Sequence, residues 1–482
     1  MSFSVQELIP VLPEIVLLIG ASVVLLVDLF APGKGRASTY LWSLIALAAT
    51  ALALVYSFQG PQIVLGGHYQ SDALSLVLKL GMVIGLACVL LYGRSYLAAR
   101  DLLSGEFFTL SLFALLGMMI IASGGSLLSL YLGLETLSLS LYALVGFDRR
   151  SVASSEAAIK YFILGALASG MLLYGISILY GVTGTLNLVV LQGEIAAVLT
   201  DTDARQFSML LGLGVVFVVV GAAFKLGAAP FHMWLPDIYE GSPTAVTNIL
   251  GTVSKLAAIA LVLRLFADGL QPLLLQWQPM MMMLAVMSLA IGNIVAIAQT
   301  NIKRMLAYSA ISHMGFVVLG VLAGTAEGYS ASLFYMLTYA LTGLAAFGMI
   351  MILSREGFEA DKLDDYKGLG QRSPVLALIM MVVMFSMAGV PPTVGFFAKL
   401  AVIEAVMAQG HTWIAIVAVL FSVIGAFYYL RMVKLMFFDD VEDPSPIEAA
   451  WDERVVISLN GLAILALGIF PGGLLAVCSQ VF

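Results

Sequence analysis

The chain has 482 residues, of which 61% are hydrophobic and only 11% are charged. Soluble domains are usually about half apolar and about a quarter charged, so this composition excludes a soluble globular protein and indicates a polytopic membrane protein. The net charge of −7 is spread along the chain and gives no basic face for nucleic acid. The two cysteines, Cys88 and Cys478, lie in apolar runs without metal-ligand spacing, so no disulfide framework is expected.

Apolar segments long enough to cross a bilayer follow one another along the chain. A transmembrane helix needs roughly 17–25 mostly apolar residues, and a scan for such runs predicts about fourteen helices. In chain order the predicted spans are 11–30, 39–58, 73–93, 107–123, 126–147, 157–181, 207–228, 243–267, 278–299, 304–323, 330–353, 375–408 with a break, 412–436 and 455–479. The sequence therefore predicts an all-α polytopic membrane protein.

Basic residues in the loops and at the span ends are distributed unevenly. We define side A as the side of the membrane that holds the loop after the first span, and side B as the opposite side. Of the 22 Lys and Arg residues, fifteen then lie on side A and only Arg205 lies on side B. Cytoplasmic loops carry the excess of Lys and Arg, so side A is predicted to be cytoplasmic and both termini to lie outside. The fifteen residues are Lys34, Arg36, Arg94, Arg100, Arg149, Arg150, Lys303, Arg304, Arg355, Lys362, Lys367, Arg372, Arg431, Lys434 and Arg454.

Three further basic residues lie near the ends of predicted spans: Lys79, Lys160 and Arg264. Long basic side chains near a helix end can reach the interface while their apolar stems stay in the membrane. We expect Lys79 and Arg264 to do so. For Lys160, this interpretation and a role inside the membrane both remain open.

Four other charged residues cannot reach water so easily: Glu135, Lys225, Lys255 and Lys399. Glu135 and Lys255 lie near the middle of predicted spans, where a charged side chain costs about 2.5–3.5 kcal/mol on insertion scales. One interpretation is that these charges form ion pairs that hold helices together. Several basic groups with few acidic partners at a similar depth favour a functional role instead.

Two predicted spans interrupt their own helix next to a lysine. In the stretch 222–244, Lys225 is followed by three prolines, and in the stretch 385–400 a Gly and a Pro-Pro pair precede Lys399. A break inside the membrane frees backbone groups that only protein or a water-filled cavity can satisfy. Interrupted helices in both halves of a chain suggest an internal inverted repeat with ion sites near the repeat interface.

Burial disfavours the charged form of a lysine, whereas a nearby carboxylate favours it. A change in the distance between Glu135 and Lys225 could therefore bind or release a proton. His232 and His313 could pass protons near neutral pH, but each could equally be an ordinary hydrogen-bonded histidine. Asn248 and Thr252 share a helix face with Lys255 and could line a hydrated track.

Motifs for nucleotide or redox cofactors do not occur in the sequence. It contains no G-x-G-x-x-G that opens a soluble βαβ unit, no Walker motif and no set of cysteine ligands. We therefore expect a chain that moves charge and holds no electron carrier of its own.

Five stretches together resemble the antiporter-like membrane subunits of respiratory complex I, the proton-pumping NADH:quinone oxidoreductase. The likeness covers nearly the whole chain and is strongest to the N-type subunits. The stretches are LYLGLETLSLSLYALVG (130–146), SSEAAIKYFILGALASGMLLYG (154–175), FKLGAAPFHMWLPDIYEGSPT (224–244), QTNIKRMLAYSAISHMG (299–315) and AGVPPTVGFFAKL (388–400).

This resemblance implies two inverted repeats of five helices, each with one broken helix. The implied division of the chain is an N-terminal segment 1–106, a first repeat 107–268, a second repeat 269–437 and a C-terminal segment 438–482. The resemblance further implies that proton translocation depends on buried ionisable residues. It implies the same role, with weaker support, for Lys160, His232 and Lys303. The four main residues are Glu135, Lys225, Lys255 and Lys399.

The resemblance also implies what lies outside this chain. NADH, FMN, the iron–sulfur clusters and the quinone would belong to partner subunits, so this chain would act as one subunit of an enzyme that couples redox chemistry to proton transport. Its partners would be the other membrane subunits of complex I and the lipid bilayer, and its location would be a bacterial inner membrane. Two alternatives remain: a subunit of a multisubunit cation/proton antiporter without a redox partner, and a purely structural scaffold.

Overall fold

The computed structural model describes residues 5–30, 37–200, 205–442, 445, 447 and 449–482. Lys34 and Arg36, two of the basic residues assigned to side A, lie outside the described residues.

The described chain is almost entirely helical. The helices of the N-terminal half are α1 Leu12–Phe30, α2 Ala37–Ser57, α3 Ala73–Ala98, α4 Gly105–Ala122, α5 Leu127–Val145, α6 Val152–Thr183, α7 Leu188–Thr200, α8 Arg205–Leu226, α9 Trp234–Gly241 and α10 Thr244–Gly269. Those of the C-terminal half are α11 Leu274–Ile297, α12 Ile302–Leu322, α13 Ala326–Leu353, α14 Pro374–Ala388, α15 Val394–Ala408, α16 Thr412–Phe438, α17 Trp451–Ile469 and α18 Gly472–Ser479. Short helical turns occur at Val5–Leu8, Leu65–Gly67, Gln271–Leu273, Leu363–Tyr366 and Leu369–Arg372.

Two short strands form an antiparallel hairpin in the loop between α2 and α3. Strand β1 (Gln62–Val64) pairs with strand β2 (Tyr69–Ser71), with Ile63 opposite Gln70. The residue after β2, Asp72, caps α3, because its carboxylate accepts the Ser75 amide at 2.9 Å. The hairpin therefore fixes where α3 begins.

Within the described residues, twelve helices are long and apolar enough to cross a membrane. Helices α14 and α15, of 15 residues each, occupy the predicted twelfth span and are separated at the predicted break. The prediction of an all-α polytopic membrane protein is confirmed.

The last predicted span, 455–479, is not one continuous helix. Helices α17 and α18 meet at an angle of 79°. Pro471 lies at the bend and has no amide hydrogen to donate, and proline also disfavours a helical conformation in Phe470 before it. The prediction of one straight span from this apolar run was therefore incomplete, because Pro471 bends the chain within it.

Contacts between loops support the predicted alternation of spans across the membrane. On side A, the Arg100 guanidinium lies 2.7 Å from the Glu359 carboxylate, and Lys367 lies 2.7 Å from Glu442. On side B, Asn187 donates to the Gly67 carbonyl at 3.3 Å. Each of these contacts joins loops that the prediction puts on the same side.

The expectation that Lys79 and Arg264 reach the headgroup region is wrong. Lys79 is 2% exposed, and its Nζ lies 2.5 Å from the Glu14 carboxylate of α1. Arg264 is 1% exposed and pairs with Asp72 at 2.7 Å and with Asp268 at 2.8 Å. Both basic groups are buried inside the protein, where Glu14 pairs with Lys79 and where Asp72 and Asp268 pair with Arg264.

The Lys79–Glu14 pair allows a double-mutant test. Removing one partner of a buried ion pair leaves the other charge unpaired, so we expect Glu14→Leu or Lys79→Leu to lower stability by about 3–5 kcal/mol. The double variant should lose less than the sum of the two, because no unpaired charge remains. Thermal unfolding of the purified assembly measures this.

The matched control is the exposed pair Arg94–Asp452, whose side chains are 49% and 33% exposed and lie 3.8 Å apart. Its single variants should change stability by less than about 1 kcal/mol. Equal losses at the two pairs would contradict a special role for the buried one.

Glu359 holds the loop after α13 against the α3 end. Its carboxylate accepts hydrogen bonds from Tyr96 at 2.9 Å, from Thr244 at 2.6 Å and from Arg100 at 2.7 Å. Burial alone would raise the pKa of the Glu359 carboxyl, but the charges of Lys303 and Arg100 and these hydrogen bonds outweigh burial, so its pKa lies below the usual value.

This lowered pKa predicts a pH dependence of stability. Because the folded-state pKa lies below the unfolded one, the Glu359 contribution is complete above the usual glutamate pKa of about 4.3 and is lost as the pH falls through the folded value. We expect Glu359→Gln to cost about 1.5–3 kcal/mol near neutral pH, typical of hydrogen bonds to a charged group. Melting curves at a series of pH values test this, and a difference from the unmodified protein that persists at the lowest pH would contradict it.

Candidate functional site

The first helix break lies directly after Lys225. Helix α8 ends at Leu226, and Gly227 has a φ of +78°, a conformation that glycine adopts without strain. The chain then turns through residues that include His232, and α9 begins at Trp234. The break was predicted from the three prolines, and the structure places Lys225 in the last turn before it.

The Lys225 ammonium faces α5. Its Nζ donates to the Ser138 hydroxyl at 2.7 Å. A cavity of about 30 Å³ adjoins it, and Tyr161 and Trp234 form part of its wall. This volume is enough for one water molecule.

Glu135, the predicted partner of Lys225, lies one turn before Ser138 on α5. The two residues form no ion pair in the described structure, because the ammonium is bonded to Ser138 instead. The Glu135 Oε1 is buried and has no hydrogen-bond partner among the described residues. The carboxylate still lies close enough to act on the charge of Lys225. The structure therefore brings this pair near each other without contact.

The ammonium group of Lys255 lies at the end of the first broken helix, α8. Lys255 lies on α10, is 1% exposed, and its Nζ donates to the Leu226 carbonyl at 2.6 Å. The last carbonyls of a helix have no partner within the helix and carry partial negative charge, so an ammonium group is favourable there. The Trp234 ring lies 5.2 Å from the same Nζ. Lys255 thus stabilises a break that lies 29 residues before it in the chain.

The second break has the same arrangement. Helix α14 ends at Ala388, Gly389 has a φ of +84°, and α15 begins at Val394. The Lys399 Nζ donates to the Ala388 carbonyl at 2.8 Å and to the Ser422 hydroxyl at 2.8 Å. Both broken helices therefore have an ammonium group on their last carbonyl. Sequence analysis found the lysines and the breaks but not this shared contact.

His313 belongs to a buried cluster of hydroxyl groups near Lys399. Its ring nitrogens share hydrogen bonds with the hydroxyls of Tyr335 at 2.7 Å and of Tyr429 at 3.1 Å. Tyr429 is also bonded to the Ser309 hydroxyl at 2.5 Å. The two tyrosines come from α13 and α16, so the local sequence around His313 gave no sign of them.

The three residues with weaker support have contacts of their own. Lys160 is 42% exposed and pairs with Glu156 at 2.7 Å and with Asp237 at 2.8 Å. His232 is half-buried, and its Nδ1 has no partner among the described residues. Lys303 is 3% exposed and donates to the Ser242 carbonyl at 2.7 Å, on the wall of a side-A pocket of about 190 Å³.

Among the described residues, no group of three or more His, Cys, Asp and Glu could hold a metal ion. Cys88 and Cys478 are both free. What the arrangement can do chemically is bind and release protons at buried amines, through hydroxyl and imidazole neighbours.

Comparisons with known proteins show the family of this chain. Residues 124–425 match the family model described as NADH:quinone oxidoreductase/Mrp antiporter, TM. The chain is 55% identical to NADH-quinone oxidoreductase subunit N of Thiobacillus denitrificans, covering 100% of this chain and 98% of that one. It is 53% identical to the subunit N of Thioalkalivibrio sulfidiphilus, covering 99% of each chain.

Solved structures give the same result. A chain of respiratory complex I from Thermus thermophilus is similar with a TM-score of 0.81 and 32% identity, covering 97% of this chain and 99% of that one. A chain of the Mrp complex from Dietzia sp. has a TM-score of 0.81 at 20% identity, covering 99% of this chain and 97% of that one, and shows the shared fold alone. The chain therefore belongs to the family of NADH-quinone oxidoreductase subunit N, within the wider group of NADH:quinone oxidoreductase and Mrp antiporter membrane proteins.

Proposed function

We propose that this chain is a proton-translocating membrane subunit of a bacterial NADH:quinone oxidoreductase. The observation that carries the proposal is the pair of buried ammonium groups, Lys255 and Lys399, each bonded to the last carbonyl of a broken helix. Neither has a carboxylate partner among the described residues, so each can lose its proton without leaving a buried anion behind. The full-length relatives support the redox enzyme as the setting.

The first step would be a change at Glu135 and Lys225. When the carboxylate approaches, it favours the ammonium form of Lys225, and when it withdraws, burial favours release of the proton. The bond from Lys225 to Ser138, with no contact to Glu135, is what the proposal requires of the separated arrangement. Redox energy released in other subunits would drive the change between the two arrangements.

Movement at Lys225 would also reach Lys255. Leu226, whose carbonyl holds the Lys255 ammonium, is the residue after Lys225 on α8. Any shift of the α8 end toward Glu135 therefore moves the acceptor of Lys255 as well. This adjacency would couple proton release at one lysine to proton binding at the next.

The hydroxyl cluster around His313 would connect the centre of the chain to Lys399. A neutral imidazole accepts a proton at one nitrogen and donates one from the other, so His313 can pass protons between Tyr335 and Tyr429. Lys160, His232 and Lys303 would have supporting roles nearer side A.

The proposal includes the orientation of the chain in the membrane, its division into repeats and the location of the cofactors. Side A would face the cytoplasm and both termini would lie on the outer side of the bacterial inner membrane, because basic loops remain inside. The two repeats, 107–268 and 269–437, would each contain one broken helix, and the matching lysine–carbonyl contacts support this division. NADH, FMN, iron–sulfur clusters and quinone would be bound by partner subunits.

A subunit of a cation/proton antiporter is the second candidate, and the similarity to the Mrp complex chain supports it at the level of the fold. Isolation of the native assembly and identification of its other chains separates the two. Flavin and iron–sulfur subunits in that assembly support the proposal, and their absence favours the antiporter.

We predict that Lys225→Ala and Glu135→Ala each lower NADH-driven proton uptake by at least about tenfold, because general acid–base groups typically contribute more than that. The measurement is acidification of inverted membrane vesicles, normalised to the amount of assembled complex. Lys434→Ala is the control, since this lysine is 64% exposed and should have no effect. Undiminished proton uptake in the assembled Lys225→Ala complex would refute the proposal.

Lys255→Arg distinguishes a proton carrier from a scaffold. Arginine keeps a positive charge for the Leu226 carbonyl but does not release its proton in proteins. We expect this variant to assemble and to lose proton transport by at least about tenfold. A scaffold would instead be rescued by arginine and damaged by Lys255→Met, so normal transport with arginine would exclude a carrier role for Lys255.

A further inference from the structure

Ser138 holds the Lys225 ammonium group in this structure. It lies on α5, is 2% exposed, and its hydroxyl oxygen accepts a hydrogen bond from the Lys225 Nζ at 2.7 Å. The same hydroxyl donates its hydrogen to the Leu134 carbonyl at 2.6 Å. A serine hydroxyl has one hydrogen to donate and two lone pairs that accept. Because that hydrogen is already used, Ser138 acts on Lys225 as an acceptor only.

An acceptor without a free hydrogen favours the charged form of a lysine. A hydrogen bond from an ammonium group is about twice as strong as one between neutral groups. The lone pair of a neutral amine, by contrast, finds no donor in Ser138, whose hydrogen lies on the Leu134 carbonyl. Ser138 therefore stabilises the ammonium form of Lys225, although less than a carboxylate does.

Glu135 is a competing acceptor on the same helix. Residues three positions apart lie on one face of a helix, so Glu135 and Ser138 are neighbours along α5. The Glu135 Oε1 is buried and has no hydrogen-bond partner among the described residues. Within the same part of the chain, Ser138 is the only hydrogen-bond partner of the Lys225 ammonium group. The flexible four-carbon stem of a lysine lets this group turn from one acceptor toward the other.

The lysine beside the second helix break has the same kind of partner. The Lys399 Nζ donates to the Ser422 hydroxyl of α16 at 2.8 Å. The buried Lys79, which lies at no break, is paired instead with the Glu14 carboxylate. A serine from a neighbouring spanning helix thus accompanies each lysine that lies beside a break.

Several titratable groups surround Lys225. Glu135 of α5 is close enough to act on its charge, Tyr161 of α6 borders the same cavity, and the Tyr142 ring of α5 lies 4.8 Å from the Tyr161 ring. Helix α10 brings Lys255 to the end of α8, and α11, which also packs against α8, contains no titratable residue. Tyrosines ordinarily titrate at about pH 10, so both stay neutral near neutral pH. Glu135 is therefore the charge that competes with Ser138 for the ammonium group.

We propose that Ser138 is a positioning residue that sets how readily Lys225 leaves Glu135. In the separated arrangement its hydroxyl accepts the ammonium group, and this bond offsets part of the attraction that the ion pair loses. The proton that moves is that of Lys225, and Ser138 keeps its own. This inference rests on the function proposed above.

The test is Ser138→Ala in the intact complex, in inverted membrane vesicles. Without the hydroxyl, the ammonium group stays with Glu135, so its proton is released less readily. We expect NADH-driven proton uptake near neutral pH to fall by at least about tenfold, the effect of one hydrogen bond to a charged group. Because a higher pH favours release, the acid limb of the pH profile of uptake should move up by about one pH unit. A hydroxyl with a packing role alone would leave this profile unchanged.

Ser140→Ala is the matched control. Ser140 lies on the same helix, is 7% exposed, and donates to the Thr136 carbonyl at 2.8 Å, as Ser138 does to its own preceding turn. Within the described residues it has no bond to a lysine, so its variant should keep both the rate and the pH profile. Ser138→Thr retains a hydroxyl that can bond the same carbonyl, and it should restore transport.

The effect of Ser138→Ala should depend on Glu135. In a Glu135→Ala complex no carboxylate captures the ammonium group, so adding Ser138→Ala should not move the acid limb of the residual uptake to higher pH. An equal upward shift without Glu135 would contradict the competition between the two acceptors.

The outcomes separate this inference from the proposed function. If Lys225→Ala loses transport while Ser138→Ala keeps the unmodified pH profile, at a normal or a reduced rate, the positioning role is wrong and the function stands. If Lys225→Ala transports normally, the function itself is wrong. Should the Ser138→Ala complex fail to assemble, Ser138→Cys replaces the hydroxyl with a weak acceptor of similar size, and an unchanged pH profile in that variant would overturn the role of Ser138.

Discussion

An ammonium group bonded to the last carbonyl of a helix that ends inside the membrane is the contact on which this structure depends. Lys255 makes it at Leu226 and Lys399 makes it at Ala388. A helix end in an apolar surrounding leaves carbonyls without partners, and a buried ammonium group needs acceptors. The ammonium group supplies the donor that the carbonyl lacks, and the carbonyl supplies an acceptor for the ammonium group. The protein can therefore keep both a broken helix and a charge where neither would be stable alone.

The two halves of the chain reach this contact by different routes. In the first half, the lysine comes from the next spanning helix, α10, and in the second half it comes from the continuation of the broken span itself, α15. The chemistry is repeated although the position of the lysine is not.

Buried basic residues in this protein fall into two classes. Lys79 and Arg264 have carboxylate partners at 2.5 Å and 2.7 Å and contribute to the packing of the N-terminal helices. Lys225, Lys255 and Lys399 are bonded instead to hydroxyls and carbonyls within the described residues. A tightly held carboxylate favours the charged form of a basic group, whereas neutral acceptors do so less. The nature of the partner therefore sorts structural charges from candidate proton carriers.

The sequence by itself determined the membrane class, nearly every span, the two breaks and the family, because run length, proline and glycine act locally. It also located Lys225 and Lys399 beside those breaks. Only the tertiary structure decided that Lys255 holds the end of α8, that Lys79 and Arg264 are paired, and that Tyr335 and Tyr429 contact His313. These contacts join residues far apart in the chain, and no local pattern encodes which acceptor a buried donor will meet.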